Sequence, residues 1–278
     1  MGKTHFLHAQ IDRKLWEALN REKARSGENS AQIIEAALRH HLGLDGDMAF
    51  QTSTIGAVLD GVNHGDISVG ELREHGDFGI GTFDGLDGEM VMLDGTVYRI
   101  DPDCRAHEVS DDVRSPFATV TRWVSRHATE LSGPMTPGQF ELQALELMCS
   151  KNYLFGIRCK ARFRSVEVRS VVKQQAGVKL LEATQSQSTL TLKDCEGTLV
   201  GFYTPSFLNH IGVEGFHLHF ITRALDYGGH VLNFDLLEGR LELDEMPQLD
   251  LALPSSLEFR RANLAVDKEE LNSAEKNE

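Results

Sequence analysis

A chain of 278 residues, 41% of them hydrophobic, can bury a substantial core in one or two domains. Its formal charge of −14 argues against general affinity for nucleic acid or anionic membranes, and no apolar run approaches the ~20 residues needed to cross a bilayer. The start, Met1-Gly2-Lys3-Thr4-His5, lacks the apolar stretch of a signal peptide, and Cys104, Cys149, Cys159 and Cys195 form no Cys-x-x-Cys pair, so the expectation is a cytoplasmic protein with reduced thiols.

Residues 1–44 differ in character from the rest. Residues 6–11 alternate, with Leu7, Ala9 and Ile11 on one side and Phe6, His8 and Gln10 on the other, which predicts a strand. Leu15, Trp16, Leu19 and Lys23 continue at helical spacing until Ser26-Gly27 breaks the pattern. Asn29 or Ser30 then caps a second helix carrying Ile33, Ile34, Ala37, Leu38 and Leu42. One strand and two helices cannot bury that apolar surface alone, so pairing with a second copy is implied. The segment resembles the ribbon-helix-helix module, an intertwined dimer whose DNA-binding members read the major groove with outward strand residues. Those would be Phe6, His8 and Gln10, with no Arg or Lys among them, and the segment's formal charge is only +2, from seven Lys/Arg against five Asp/Glu. The expectation for residues 1–44 is a dimerising arm that makes the protein a homodimer, with DNA binding through this arm the less favoured option.

The main body begins near Phe50. Ser68-Val69-Gly70-Glu71 has the spacing of a capping box and opens a short helix to His75. Residues 78–100 are strand-rich, punctuated by Asp84-Gly85, Asp87-Gly88 and Asp94-Gly95, each a tight-turn signal. Gly79-x-Gly81 is not a nucleotide loop, because a hairpin follows instead of a helix and the third glycine is misplaced. Residues 116–124 predict another strand, and residues 136–149 a helix with Phe140, Leu142, Leu145 and Met148 as its apolar positions. Residues 154–172 are extended, residues 188–202 predict a hairpin about residues 194–197, and an acidic, apolar-poor tail starts near Ala265. The expected fold class is α+β: an antiparallel or mixed, β-sheet-rich body over residues 50–278 with few helices, plus the small N-terminal β-α-α module of residues 1–44.

The chemistry concentrates in Gly215-Phe216-His217-Leu218-His219-Phe220-Ile221 and the return run His230-Val231-Leu232, which flank a hairpin connection at Asp226-Tyr227-Gly228-Gly229. Side chains two apart on a strand share a face, so His217 and His219 point one way while Phe216, Leu218 and Phe220 face a core. His230 opens the return strand and can sit across the ladder from His219. Three imidazoles then converge on one patch, a nitrogen set that suits a borderline-soft divalent ion and leaves coordination positions for water or substrate. Glu89 follows the Asp87-Gly88 turn and starts the strand Met90-Val91-Met92-Leu93, where a solvated strand end is the plainer reading. In residues 157–171 the alternation puts Arg158, Lys160, Arg162 and Arg164 on one face and gives Arg169 the parity of Ile157, Cys159, Ala161 and Phe163. An Arg on the apolar side of a strand wants an anion, either a substrate's or a protein carboxylate, unless a bulge near Ser165 resets the face.

Several segments resemble the acetolactate decarboxylase family. They are Gly76-Asp77-Phe78-Gly79-Ile80-Gly81-Thr82-Phe83, Leu86-Asp87-Gly88-Glu89, Ser115-Pro116-Phe117-Ala118-Thr119-Val120, Gly201-Phe202-Tyr203-Thr204-Pro205, and the His-x-His run with Gly228-Gly229-His230-Val231. They follow the family's order from about Phe50 to the C-terminus. In that family three histidines bind a catalytic zinc, which the resemblance carries onto His217, His219 and His230. It likewise gives catalytic roles to Glu89, which approaches the metal, to Arg169, and to Thr82 of the Gly-x-Gly-Thr run. A tail glutamate also reaches back to the metal in the family; Glu275 is the match here, with Glu278 as the alternative.

The activity the resemblance implies is decarboxylation of (S)-2-acetolactate to (R)-acetoin, in acetoin and butanediol metabolism. Zinc chelated by the substrate's hydroxyl and ketone oxygens would stabilise the enediolate left when carbon dioxide departs. Arg169 would hold the carboxylate, and a glutamic acid with a raised pKa, Glu89 or Glu275, would protonate one face. Two other readings use the same residues: a metal- or acetolactate-sensing transcriptional regulator acting through residues 1–44, and a related zinc lyase on another hydroxy-keto acid. The basic-poor ribbon and the full set of catalytic-type residues favour the decarboxylase.

Overall fold

The structure, a computed structural model, describes residues 7–41 and 47–264. The chain divides into two compact units, Met1–Asp45 and Gly46–Glu278.

In the first unit, α1 (Arg13–Ser26) starts at Asp12, whose carboxylate accepts from the Leu15 amide at 2.9 Å, and stops at Gly27 in the left-handed region with φ 76°. Asn29 and Gln32 exchange side-chain-to-backbone hydrogen bonds at 2.9 and 3.0 Å and so open α2 (Ser30–His41). The two helices pack on each other with Leu19 buried, yet Leu7, Ile11, Leu15, Trp16, Ile34 and Leu38 stay exposed, Trp16 to 53%. The strand expected over residues 6–11 is not formed: residues 7–11 take no regular structure, and Phe6 lies outside the described residues. A lone extended segment has no ladder to satisfy its backbone groups until another strand lies beside it.

The second unit is α+β. In chain order it carries β1 (Met48–Thr52), α3 (Ile55–Leu59), β2 (Ile67–Ser68), α4 (Val69–His75), β3 (Phe78–Thr82), β4 (Glu89–Leu93), β5 (Thr96–Ile100), β6 (Ala106–Glu108), β7 (Arg114–Ser115), β8 (Phe117–Thr121), β9 (His127–Met135), α5 (Pro137–Leu147), β10 (Leu154–Ser170), α6 (Leu180–Thr184), β11 (Ser188–Thr204), β12 (Gly215–Thr222), β13 (Gly228–Met246), β14 (Gln248–Ala252) and α7 (Leu257–Arg261). Seven strands form one sheet in the order β14-β1-β8-β3-β4-β5-β6, antiparallel except for the parallel β14–β1 edge pair. The second sheet runs β10-β11-β12-β13-β9, and β10 also pairs with β13, so these four strands curl back on themselves. The largest core cluster draws on both sheets, with Phe78, Ile80 and Val91 from the first and Phe155, Phe163, Phe220 and Leu241 from the second.

Local signals explain most of these elements. The capping box at α4 is formed, with Ser68 Oγ accepting from the Glu71 amide at 3.2 Å and the Glu71 carboxylate accepting from the Ser68 amide at 2.8 Å. Asp94 and Gly95 both have positive φ and close the two-residue β4–β5 hairpin. Asp84-Gly85 and Asp87-Gly88 fold instead into one loop between β3 and β4. On α5, Phe140 and Ala144 are buried but Leu142 is exposed, so the helix docks on a narrower stripe than its apolar spacing suggested.

Residues 188–202 are not a hairpin but most of one continuous strand, β11. Asp194 takes φ 46° there without interrupting the β10–β11 register, and the turn-like residues kink a strand held along its length by its neighbour. The connection between β12 and β13 also falls earlier than Asp226-Tyr227-Gly228-Gly229. Gly228 already pairs with Ile221 in the ladder, because a Cβ on Gly228 would meet the Phe220 carbonyl oxygen at 2.2 Å and one on Gly229 (φ 152°) the Arg169 carbonyl oxygen at 2.5 Å.

The passage from one sheet to the other, residues 122–126, is held by two carboxylates. Asp77 accepts from the Trp123 amide at 2.8 Å; fully buried Asp244 accepts from the Val124 amide at 3.0 Å and from Arg126 Nε at 3.2 Å. Burial, helped by the nearby Asp77, outweighs those hydrogen bonds and the Arg126 charge and pushes the Asp244 carboxyl up to about 7. The unfolded chain would release this proton near pH 4. Between those limits the folded state binds more protons, so this group's contribution to stability falls as pH rises through that window and is flat above it. Denaturant titrations from pH 4 to 8 should therefore show a flatter decline for Asp244→Asn than for the parent, by on the order of 3–4 kcal/mol across the window.

Candidate active site

β12 and β13 pair with His219 directly opposite His230, and β13 and β10 pair with His230 directly opposite Arg169. Cross-strand partners share a face, so one rung across three strands presents two imidazoles and a guanidinium side by side. His217, two residues before His219, adds a third imidazole to that face. Opposite this rung, the paired residues Thr82 and Glu89 stand at the adjoining ends of β3 and β4. These six residues line one pocket of roughly 470 Å³, measured out to its open mouth, whose other walls include Ile55, Val58, Leu86, Phe117, Val171 and Leu180. Glu275 and Glu278 lie outside the described residues.

The donor set fits a metal ion. One ligand nitrogen from each of His217, His219 and His230 lies within 4.8 Å of the others. His217 Nε2 and His230 Nδ1 are 3.2 Å apart, and two nitrogens bound to a tetrahedral zinc at about 2.0–2.1 Å are separated by roughly 3.3 Å. His219 supplies the sharper observation. A carbonyl oxygen can only accept, so the 2.8 Å contact to Met90 fixes the proton on Nδ1. Its Nε2 thus keeps its lone pair, is buried, and has no hydrogen-bond partner among the described residues. Burial, with Arg169 adding to it, lowers His217 to about 3, and burial, the neighbouring His217 and Arg169 hold His219 well below the usual histidine range. Both are neutral at ordinary pH, the state in which imidazole binds metal.

The accompanying groups have defined positions. A Glu89 carboxylate oxygen lies 3.5 Å from His219 Nε2, so Glu89 is no solvated strand end. Thr82 Oγ1 donates to the Gly88 carbonyl at 2.7 Å, which braces the turn that delivers Glu89. Arg169 is 2% exposed and donates from Nη1 to Gln187 Oε1 at 2.7 Å. It does not reach the interior by unbroken alternation. The β10–β13 register shifts between Phe163 and Ser165 and again between Glu167 and Val168, so the inward face resets before Arg169, which is buried because the pocket covers its side of the strand. Gln187, the Met90 carbonyl and the apolar wall were not among the residues expected from the sequence. Gln187 had a signal once pairing is known: Arg169 opposes Thr189, and Gln187 is two residues from Thr189 on the same face.

The chain matches the profile of the alpha-acetolactate decarboxylase family over residues 49–266. An alpha-acetolactate decarboxylase from Methanosarcina mazei is 39% identical over 255 residues, covering 90% of this chain and 88% of its own length; that match extends into the first 48 residues. One from Bacillus subtilis is 36% identical, covering 77% of this chain and 85% of its own. The crystal structure of alpha-acetolactate decarboxylase from Bacillus subtilis strain 168 superposes with a TM-score of 0.80 at 34% identity, over 82% of this chain and 99% of that one. Sequence and superposed fold agree: the chain belongs to the alpha-acetolactate decarboxylase family, and is a carboxy-lyase.

Proposed function

We propose that this chain decarboxylates (S)-2-acetolactate to (R)-acetoin with a zinc ion held by His217, His219 and His230. The observation that carries the reading is His219, whose Nε2 lone pair is buried and without a hydrogen-bond partner among the described residues, beside two further imidazole nitrogens. Zinc bound there supplies Lewis acidity to the hydroxyl and ketone oxygens of the substrate. Arg169 takes the carboxylate, in a pocket where Ile55, Val58, Leu86, Phe117, Val171 and Leu180 exclude water and strengthen the charge pairing. When the carbon–carbon bond breaks, carbon dioxide leaves and the electron pair delocalises onto the ketone oxygen. Glu89, held on one side of the pocket by the turn that Thr82 braces, delivers the proton to carbon and regains one from solvent. Protonation from one fixed side accounts for a single enantiomer. Glu275, or Glu278, is the second carboxylate of this reading. The four cysteines, all free thiols, suit a cytoplasmic setting, and no described helix is long and apolar enough to cross a membrane.

The first unit we propose as a pairing arm. Its exposed Leu7, Ile11, Leu15, Trp16, Ile34 and Leu38 fit a ribbon-helix-helix-like homodimer, while its slight positive charge gives little to hold DNA phosphates.

Three experiments test this. Metal analysis of purified protein should find zinc near one per chain, and His219→Ala should lose most of it together with acetoin formation while the circular dichroism spectrum is retained. Full zinc occupancy in that variant would remove His219 as a ligand. Arg169→Ala should lower kcat/KM by roughly 30- to 1000-fold, corresponding to about 2–4 kcal/mol for a buried charge-assisted contact. Arg164→Ala should stay near the parent value, since Arg164 is exposed and pairs with Asp235 at 2.8 Å on the outer surface. Equal effects at the two positions would remove Arg169 from the carboxylate site. A chain beginning at Asp47 should keep its turnover per zinc but sediment as a smaller species; unchanged sedimentation would remove the pairing role.

A further inference from the structure

The apolar wall of the pocket stands apart from the large core. Ile55, Val58, Leu86, Phe117, Val171 and Leu180 belong to a separate, smaller cluster drawn from α3, the β3–β4 loop, β8, the end of β10 and α6. A cluster of that size buries little apolar area, so the loops that carry it need further ties. The least regular of these is the crossover from β10 to β11. Its residues 171–179 form no strand or helix, so their backbone groups find partners outside any ladder.

Asn63 supplies one of them. It is fully buried, and its side-chain nitrogen donates to the Gln175 carbonyl at 2.9 Å and lies 3.5 Å from the Val178 carbonyl oxygen. A carbonyl oxygen can only accept, so the end of the amide facing both must be the NH2 group. The Asn63 backbone carbonyl accepts from the Gly85 amide at 2.8 Å, and the Gly85 carbonyl accepts from the Gln174 amide at 2.6 Å. Glycines permit this approach. A Cβ on Gly61 would meet the Gly177 carbonyl oxygen at 2.6 Å, and one on Gly85 the Gln174 carbonyl oxygen at 2.8 Å. Asn63 thus ties together the loop after α3, the loop carrying Leu86 and the crossover that leads from Val178 to Leu180. The ion pairs along the same seam, Lys179 with Asp60 at 3.4 Å and Lys173 with Asp84 at 3.7 Å, are partly exposed and hold it weakly. Asn63 is not itself among the lining residues.

We propose that Asn63 is a positioning residue for substrate binding: its amide N–H holds the crossover against the β3–β4 loop and so keeps Leu180 in place as the wall on which the substrate's methyl groups pack. This rests on the reading of the pocket as the acetolactate site. The donor is the decisive group. Asn63→Asp keeps the shape, but when ionised it offers the two carbonyls no proton and sets a negative charge against them. Burial and the facing carbonyl oxygens raise the pKa of the introduced carboxyl, and once protonated it is a donor again. The defect therefore grows as pH rises.

The test measures steady-state constants with acetolactate for the full-length, zinc-loaded parent and variants from about pH 6 to 9. For Asn63→Asp, the ratio of its KM to that of the parent should climb from near one to about tenfold across this range, with kcat within about threefold and zinc content unchanged. Leu180→Ala removes the wall directly and should raise KM by roughly 5- to 30-fold at every pH. Adding Asn63→Asp to it should raise KM at high pH by less than about twofold more, because both changes act through one wall. Asn63→Ser covers the case in which Asn63→Asp unfolds at high pH: with its shorter reach it should raise KM by at least about threefold at every pH and show the same non-additivity with Leu180→Ala. A merely structural role would lower the thermal midpoint and leave these ratios flat. A KM ratio for folded Asn63→Asp that does not change with pH would overturn the proposal, as would effects at Asn63 that multiply fully with that of Leu180→Ala. Parent-like constants for Leu180→Ala together with retained turnover in His219→Ala would instead overturn the reading of the pocket, so the two failures are told apart.

Discussion

One hydrogen bond, from Nδ1–H of His219 to the carbonyl oxygen of Met90, joins the sheet that carries the imidazoles to the strand that carries Glu89. Met90 directly follows Glu89, so the same backbone that fixes the His219 tautomer also places the carboxylate beside its other nitrogen. Orientation of the ring, availability of its lone pair and approach of the acid are thus settled by one contact between residues 129 apart in sequence. Thr82 extends this brace through the Gly88 carbonyl, one residue before Glu89.

The electrostatics of the pocket follow from what surrounds it. The apolar side chains of α3, α6 and the Leu86 loop form one wall, and the neutral imidazoles of His217 and His219 form part of another, so the permanently charged cation among the lining residues is Arg169. A buried guanidinium is costly to desolvate, and its charge adds to the burial that chiefly lowers proton affinity at His217 and His219. In the proposed reading, the substrate's carboxylate meets Arg169 at one end of the pocket and its oxygen functions meet the three nitrogens' side at the other.

Much of the site was legible because strands have period two. The shared face of His217 and His219, and His230 opposite His219, followed from counting and from a short connection between two apolar runs. Arg169 was placed inward by parity, but the parity argument fails at Phe163, where the register with β13 shifts; burial at Arg169 comes from the pocket, which no local pattern reports. Gln187 was hidden because its reach depends on β10 pairing with a segment that begins 18 residues later, while the Asp194–Gly197 residues of that segment carry turn chemistry. Capping signals located α1, α2 and α4 well, since they act within one turn of chain. The strand over residues 6–11 shows the reverse case: alternation marks a segment able to pair, not one that has a partner.

The parallel pairing of β1 with β14 has a consequence for how the molecule is made. Met48 lies opposite Gln248 and Thr52 opposite Ala252, so the first strand of the body closes its outer edge against its last strand. Some two hundred residues separate the two, and contacts of such long sequence separation form late, after a large loop-closure cost. On the ribosome β1 emerges long before β14 exists, with one edge exposed until residues 248–252 have been made. Maturation of the body therefore waits for residues 248–252, and a chain cut short before residue 248 would leave β1 as an open sheet edge suited to joining its neighbours.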